Sequence, residues 1–143
     1  MNNVEVKIKP LAPRYLPLYK HDGDACADCY ARLENDIYIG PKETAKIPLG
    51  FCLDMTEGYR AMIYPRSGLA TKQLIAATGV IDSNYRGELC CSLANYGNTA
   101  FVVKDGDRVC QLAIEHSLKA NFVITEELSN SDRGENGFGS TGV

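Results

Sequence analysis

Apolar residues in this chain recur at every second position in short runs, and turn-forming residues end each run. Val4, Val6 and Ile8 alternate with Glu5 and Lys7, the pattern of a half-buried strand. Further strands are predicted over Asp36–Ile39, Ala45–Leu53, Tyr59–Tyr64, Glu88–Asn95, Phe101–Val103, Arg108–Ile114 and Asn121–Glu127. Asn35-Asp36, Glu57-Gly58, Tyr96-Gly97-Asn98 and Asp105-Gly106-Asp107 supply turns between them. Many short strands at this spacing predict an all-β jelly roll or barrel. One segment breaks the period: Ser67–Ala77 is rich in helix formers, with Ser67 placed to cap it and Gly79 just beyond it. A single short helix, packed on the sheet by Leu69, Ala70 and Gln73–Ala77, is expected there.

The 143 residues fit one domain, which leaves no room for a cleft between two domains. A charge of −3, from 15 Lys and Arg against 18 Asp and Glu, argues against general nucleic-acid binding. It still allows a small anionic ligand held by a few local cations. No run of apolar residues is long enough for a transmembrane helix. The first residues, Met1 to Glu5, lack the pattern of a signal peptide. A cytoplasmic protein without nucleic-acid or membrane partners is therefore expected. Its six cysteines are then expected to be reduced thiols. Residues 129–143 contain only Phe138 and Val143 as apolar residues, a composition that offsets little ordering entropy. The chain thus divides into a body, residues 1–128, and a flexible C-terminal arm, residues 129–143.

Several constellations suit an oxyanion. Pro65-Arg66-Ser67-Gly68 opens the expected helix, where backbone N–H groups and side-chain donors gather. The arm holds Gly137-Phe138-Gly139-Ser140-Thr141-Gly142, which has the spacing of a dinucleotide fingerprint but no βαβ unit around it. Its glycines allow close backbone approach, Ser140 and Thr141 bring hydroxyls, and Arg133 brings a bidentate fork. Asp82 lies at the neck of a hairpin over Gly79–Glu88. Cys26-Ala27-Asp28-Cys29 is a lone C-x-x-C without a second pair for structural zinc or a βαβ setting for redox chemistry. Cys90 and Cys91 alternate faces of a strand. His21 and His116 have no acid or nucleophile at telling spacing.

Five segments in order carry a family resemblance. They are Asp24-Ala25-Cys26-Ala27-Asp28, Pro65-Arg66-Ser67-Gly68-Leu69-Ala70, Gly79-Val80-Ile81-Asp82-Ser83-Asn84-Tyr85-Arg86-Gly87-Glu88, Gly106-Asp107-Arg108-Val109-Cys110-Gln111-Leu112-Ala113-Ile114 and Arg133–Gly142. Together they closely resemble the five motifs of the homotrimeric deoxyuridine triphosphatases (dUTPases). The resemblance implies a jelly roll that forms a trimer, with active sites shared between subunits. It implies hydrolysis of dUTP to dUMP and pyrophosphate with Mg²⁺, which limits uracil in DNA and supplies the dTMP precursor. Asp82 would activate the attacking water. Gly79, Tyr85, Cys90 and Phe138 would bind base and sugar, through backbone groups at Gly79 and Cys90 and stacking by the rings. Arg66, Ser67, Gly68, Gln111, Arg133, Gly139, Ser140 and Thr141 would bind phosphates. Asp28 would meet the metal through water.

The chain departs from the family pattern at Cys26 and Cys29, where Gly and Leu are common, and at Asn84, often Asp. The stretch Ile75–Thr78 lacks an Asn that some members place near the base. Two alternatives share the fold. A dCTP deaminase would need a different base pocket with a catalytic Glu. A catalytically silent regulatory relative would be expected to have lost Asp82, Arg133 or Phe138, and all three are present.

Overall fold

A computed structural model describes residues 3–139 and residue 142. The period-two runs become strands: β1 (Lys7–Pro10), β2 (Ala27–Tyr30), β3 (Ile37–Ile39), β4 (Thr44–Pro48), β5 (Phe51–Asp54), β6 (Tyr59–Tyr64), β7 (Ile75–Ile81), β8 (Cys90–Asn95), β9 (Phe101–Val103) and β10 (Arg108–His116). A curled six-stranded sheet has the order β2-β10-β6-β7-β8-β4, and the ribbons β1-β5 and β3-β9 accompany it. Every pairing is antiparallel. Side chains therefore alternate between core and surface along each strand. Phe51, Ile39, Ile47, Leu49, Leu89, Leu93, Val103 and Val109 fill the interior, each worth about 1.5–3 kcal/mol of burial. No helix among the described residues is long and apolar enough to cross a membrane.

The all-β architecture with one short helix is as expected, but several boundaries differ. The helix α1 spans Ser67–Lys72 only. Arg66 takes the N-cap position, and no side chain caps it. None of its residues is fully buried, although Leu69 packs against the core. The helix stops because Leu74 adopts a left-handed φ of 54°. Beyond it, Ile75, Ala77 and Ile81 turn inward as strand residues. The helix-forming tendency of Gln73–Ala77 loses to ladder pairing with β8. Gly79 is accordingly a strand residue. The run Ala45–Leu53 breaks into β4 and β5 at Gly50, whose φ is +81°. The strand expected over Asn121–Glu127 is absent, and that stretch is exposed. Its apolar residues find no partner among the described residues.

Two polar networks knit the loops. Asn95 is buried, and its Nδ2 donates to the carbonyls of Ile39 and Thr99, both at 2.8 Å. Its Oδ1 accepts the Gly97 N–H at 2.9 Å, which fixes the Tyr96–Asn98 turn. Near the other end, the Tyr15 hydroxyl donates to Asp105 at 2.7 Å, and the same carboxylate accepts the Leu33 N–H at 2.9 Å. These contacts, the Leu33 N–H first, hold the Asp105 carboxyl below its ordinary value. Gly50 lies against the Tyr15 ring so closely that a Cβ there would sit 2.6 Å from Tyr15 Cγ.

Two substitutions at left-handed positions should therefore move stability in opposite directions. Gly50→Ala meets both a forbidden φ and the Tyr15 ring, and should cost more than about 2 kcal/mol. Leu74→Gly relieves a side chain that is half exposed, and should be neutral or stabilising by up to about 1 kcal/mol. Urea denaturation measures both; a destabilised Leu74→Gly would show that the Leu74 side chain outweighs its backbone strain.

Candidate functional site

The third of the five segments forms a seam in the sheet. β7 pairs β8 from Ile75↔Asn95 to Thr78↔Ser92 and then leaves it. Gly79, Val80 and Ile81 pair instead with Ile63, Met62 and Ala61 of β6. β8 continues on its other side to β4, with Cys90 opposite Pro48. The β7–β8 ladder thus opens between Gly79 and Cys90. Glycine suits the seam, because a Cβ on Gly79 would lie 2.9 Å from Ile63 Cγ1 and force that side chain to shift. Asp82 stands exposed just past the end of β7. Its carbonyl accepts the Tyr85 N–H at 3.1 Å, which turns the chain back. The Tyr85 hydroxyl donates to the Glu88 carbonyl at 3.0 Å, so the ring lies across the loop. Gly87 has no room for a side chain beside that ring.

Glu88 anchors this loop to the body. Its Oε2 accepts from Arg32 Nε at 2.6 Å and from the Gly50 N–H at 2.8 Å, and its Oε1 accepts from Arg32 Nη2 at 2.8 Å. The bidentate Arg32 contact, together with the Gly50 N–H, holds the Glu88 carboxyl below its ordinary 4.5 against the opposing effect of burial. Burial pushes the Cys90 thiol up.

A second cluster forms at the end of β6. Gln111 of β10 lies opposite Asp28 of β2 on one side and Tyr64 of β6 on the other. Gln111 Nε2 donates to the Pro65 carbonyl at 2.9 Å and ties β10 to the α1 turn. Asp28 sits between two guanidiniums, 3.4 Å from Arg66 Nε and 3.7 Å from Arg108 Nη1. Arg66 Nη1 also donates to the Arg108 carbonyl at 3.4 Å. Segments far apart in sequence thus bring Asp28, Arg66 and Gln111 together, with exposed Ser67 and Gly68 beside them. Sequence reasoning missed Arg108, although it stands inside the fourth segment. It also missed Arg32 and Glu88 as a pair.

The remaining predicted residues lie elsewhere within this single chain. Arg133 Nε donates to the Asn136 carbonyl at 2.6 Å, within the arm itself. Phe138 is fully exposed, and Gly139 has open space around it. Ser140 and Thr141 lie outside the described residues. The two clusters sit on either side of β6, with Gln111 on β10 and Gly79 on β7. Two strand spacings separate those strands, roughly 9–10 Å.

The donor chemistry bears on Mg²⁺. No group of three or more His, Cys, Asp or Glu side chains converges among the described residues. Asp28 is engaged by two arginines. A single carboxylate of this kind fits a Mg²⁺ that keeps its waters better than one held by protein oxygens.

A family model described as dUTPase matches residues 13–142. The deoxyuridine 5'-triphosphate nucleotidohydrolase of Desulfitobacterium hafniense (strain DSM 10664 / DCB-2) is 41% identical over 151 residues, covering 100% of this chain and 99% of that protein. The one from Bifidobacterium longum subsp. infantis is 43% identical over 148 residues, covering 99% and 92%. Among solved structures, the dUTPase of Staphylococcus bacteriophage 80alpha with dUPNHPP superposes with a TM-score of 0.87 at 26% identity, covering 99% of this chain and 100% of that one. The fold is also shared with a mutant dUTPase from phage phi11 of S. aureus, described as coordinating a structural Mg(II) ion, at a TM-score of 0.76 and 21% identity over 87% of this chain and 98% of that one.

The Glu88 geometry sets an acid dependence. A carboxyl whose folded pKa is depressed stabilises the fold above its unfolded value, and the benefit fades as pH falls through the folded value. Glu88→Gln should cost about 1–2 kcal/mol at neutral pH. That deficit should shrink once pH drops below 4.5. Denaturation of both proteins across pH 3 to 7 reads it; a deficit of equal size at both ends would contradict the ionised pair.

Proposed function

This chain belongs to the dUTPase family, and from that premise we propose how its residues divide the work of dUTP hydrolysis. The observation that carries the reading is the seam between Gly79 and Cys90 with Asp82 at its mouth. Backbone N–H and C=O groups released from a ladder seek partners. Uracil offers them an N3 donor and an O4 acceptor, whereas cytosine reverses both and would leave buried groups unpaired. A narrow seam also excludes the 5-methyl of thymine. The Tyr85 ring packs on the deoxyribose, where a 2′-hydroxyl would clash and lose hydration.

Asp82 orients a water against the α-phosphorus. The water oxygen bonds to phosphorus, its proton passes to the Asp82 carboxylate, and the bond to the bridging oxygen breaks to release pyrophosphate. The carboxylate serves here mainly by positioning the water. Arg66, Ser67, Gly68 and Gln111 face the phosphates and stabilise charge moving onto the leaving group. Asp28 would hold a water of Mg²⁺, which when bound would supply further neutralisation of that charge.

Residues 1–128 form the body and residues 129–143 an arm that reaches the site of another subunit. Two features support a trimer with shared sites. The two clusters of one chain are separated by β6. Leu118, Phe122, Val123, Ile124 and Leu128 are all exposed, Ile124 at 99%, which marks a surface awaiting a partner. In such an assembly Phe138 stacks over the base, while Arg133, Gly139, Ser140 and Thr141 close over the phosphates. The deaminase alternative is not favoured: the hairpin's own glutamate, Glu88, spends its carboxylate on Arg32 and Gly50.

The test is turnover with Mg²⁺ and each of dUTP, dCTP, dTTP and UTP, scoring pyrophosphate and ammonia. Pyrophosphate from dUTP alone is expected, and ammonia from dCTP would refute the reading. Asp82→Asn should keep the fold and the assembly yet lower kcat by at least about a hundredfold. Deleting residues 131–143 should abolish efficient turnover while dUTP still binds at the seam; full activity without the arm would remove it from the mechanism.

A further inference from the structure

The seam needs rigid walls, and its two walls are built differently. The Gly79 wall is held by three ladder positions to β6, Ile63↔Gly79, Met62↔Val80 and Ala61↔Ile81. The Cys90 wall has no such neighbour on the seam side, because the ladder with β7 stops at Ser92. Its support comes from behind. Cys90 stands opposite Pro48, the Leu49 N–H donates to the Leu89 carbonyl at 2.9 Å, and the Leu89 N–H donates to the Phe51 carbonyl at 2.9 Å. All of these contacts run to the single corner between β4 and β5.

Glu88 locks that corner. Its carboxylate joins the corner, through the Gly50 N–H at 2.8 Å, to Arg32, just beyond β2. The Arg32 N–H in turn donates to the Pro48 carbonyl at 2.8 Å. The Glu88 backbone carbonyl meanwhile accepts the Tyr85 hydroxyl at 3.0 Å. One residue therefore sets both the ring assigned to the sugar and the strand assigned to the base. The pair is partly shielded, with side chains 33% and 24% exposed. It is bidentate, so it fixes direction as well as distance. By comparison, the Arg86–Asp54 pair on the same loop is more than half exposed at both ends and makes one short contact, 2.8 Å; such a pair adds little rigidity.

We propose that Arg32 and Glu88 are positioning residues for nucleoside selection: their ion pair sets the width of the Gly79–Cys90 seam and the lie of the Tyr85 ring. This rests on the dUTPase reading above. Neither side chain is among the groups assigned above to the water or the phosphates, so the effect falls on recognition and not on the chemical step. Without the guanidinium fork, the corner relaxes, the seam widens, and the room that excludes a 5-methyl group is no longer enforced.

The experiment is steady-state kinetics of the full chain with Mg²⁺, using dUTP and dTTP, on the wild type, Arg32→Ala, Arg32→Lys, Glu88→Gln and the double variant Arg32→Ala/Glu88→Gln. Arg32→Ala should raise KM for dUTP roughly tenfold or more, a scale set by small misplacements of binding groups, while kcat falls by less than about threefold. The preference for dUTP over dTTP in kcat/KM should fall by a similar factor. Arg32→Lys keeps the charge without the fork and should recover part of the affinity but less of the selectivity. The double variant should be no worse than the poorer single one, because the two side chains act as a unit. If Arg32→Ala does not fold, as judged by circular dichroism and thermal melting, Arg32→Lys carries the test alone. Folded variants with unchanged KM and unchanged selectivity would overturn the proposal, and so would a fall in kcat alone. A wild-type protein that fails to hydrolyse dUTP would instead defeat the dUTPase reading itself.

Discussion

Strand β7 changes partner between Thr78 and Gly79, and the candidate site depends on that change. A strand held on both sides has no backbone group to spare for a ligand. Here Ile75–Thr78 is shared with β8, whereas Gly79–Ile81 belongs to β6 alone. The sheet stays continuous through β7 yet parts between Gly79 and Cys90, where the proposed function puts the base. Glycine at position 79 permits the close approach to Ile63 that the divergence needs. Under the proposed function the backbone would do the reading, so selectivity would rest on rigid walls more than on special side chains, and the Arg32–Glu88–Gly50 contacts stiffen the corner that backs Cys90.

The second cluster answers a different demand, that of concentrating cations in a chain of net charge −3. Arg66 and Arg108 would repel each other if left alone. Asp28 lies between them, and Gln111 ties the α1 turn to β10. The guanidiniums are thereby ordered within the chain itself, and under the proposed function that order would lower the entropy lost on binding phosphate.

Much of this was legible in the sequence, for identifiable reasons. The period-two alternation reports strands directly, because one face of each is buried. The five ordered segments carry the family membership, and they single out Asp82, Arg66 and Gln111 as site candidates. Other features depend on tertiary contacts that local pattern does not carry. The helix was expected to run to Ala77, but Leu74 turns left-handed and β8 claims the residues after it. Asn121–Glu127 alternates like a strand yet has no ladder partner among the described residues. Arg32 and Glu88 are 56 residues apart, and neither stands out until the fold joins them. Arg108 is visible only beside Asp28, across the β2–β10 pairing.

The cysteines show how closely core and site are interleaved. Cys29, Cys91 and Cys110 are buried, and they follow or precede Asp28, Cys90 and Gln111 in the chain. Alternation along a strand sends each thiol inward and its neighbour toward the site. Cys29 stands opposite Cys110 in the β2–β10 ladder. Contacts with Cys29 and Cys91, with burial added, push the Cys110 thiol well above its ordinary value. A thiol held protonated in this way is a poor nucleophile and behaves as a small apolar side chain. The three thiols therefore act as filler of limited volume behind the candidate site residues. A larger side chain at any of these positions would push outward through one backbone residue, onto Asp28, Cys90 or Gln111. The packing of this layer is for that reason part of the site's geometry, although none of its atoms faces the site.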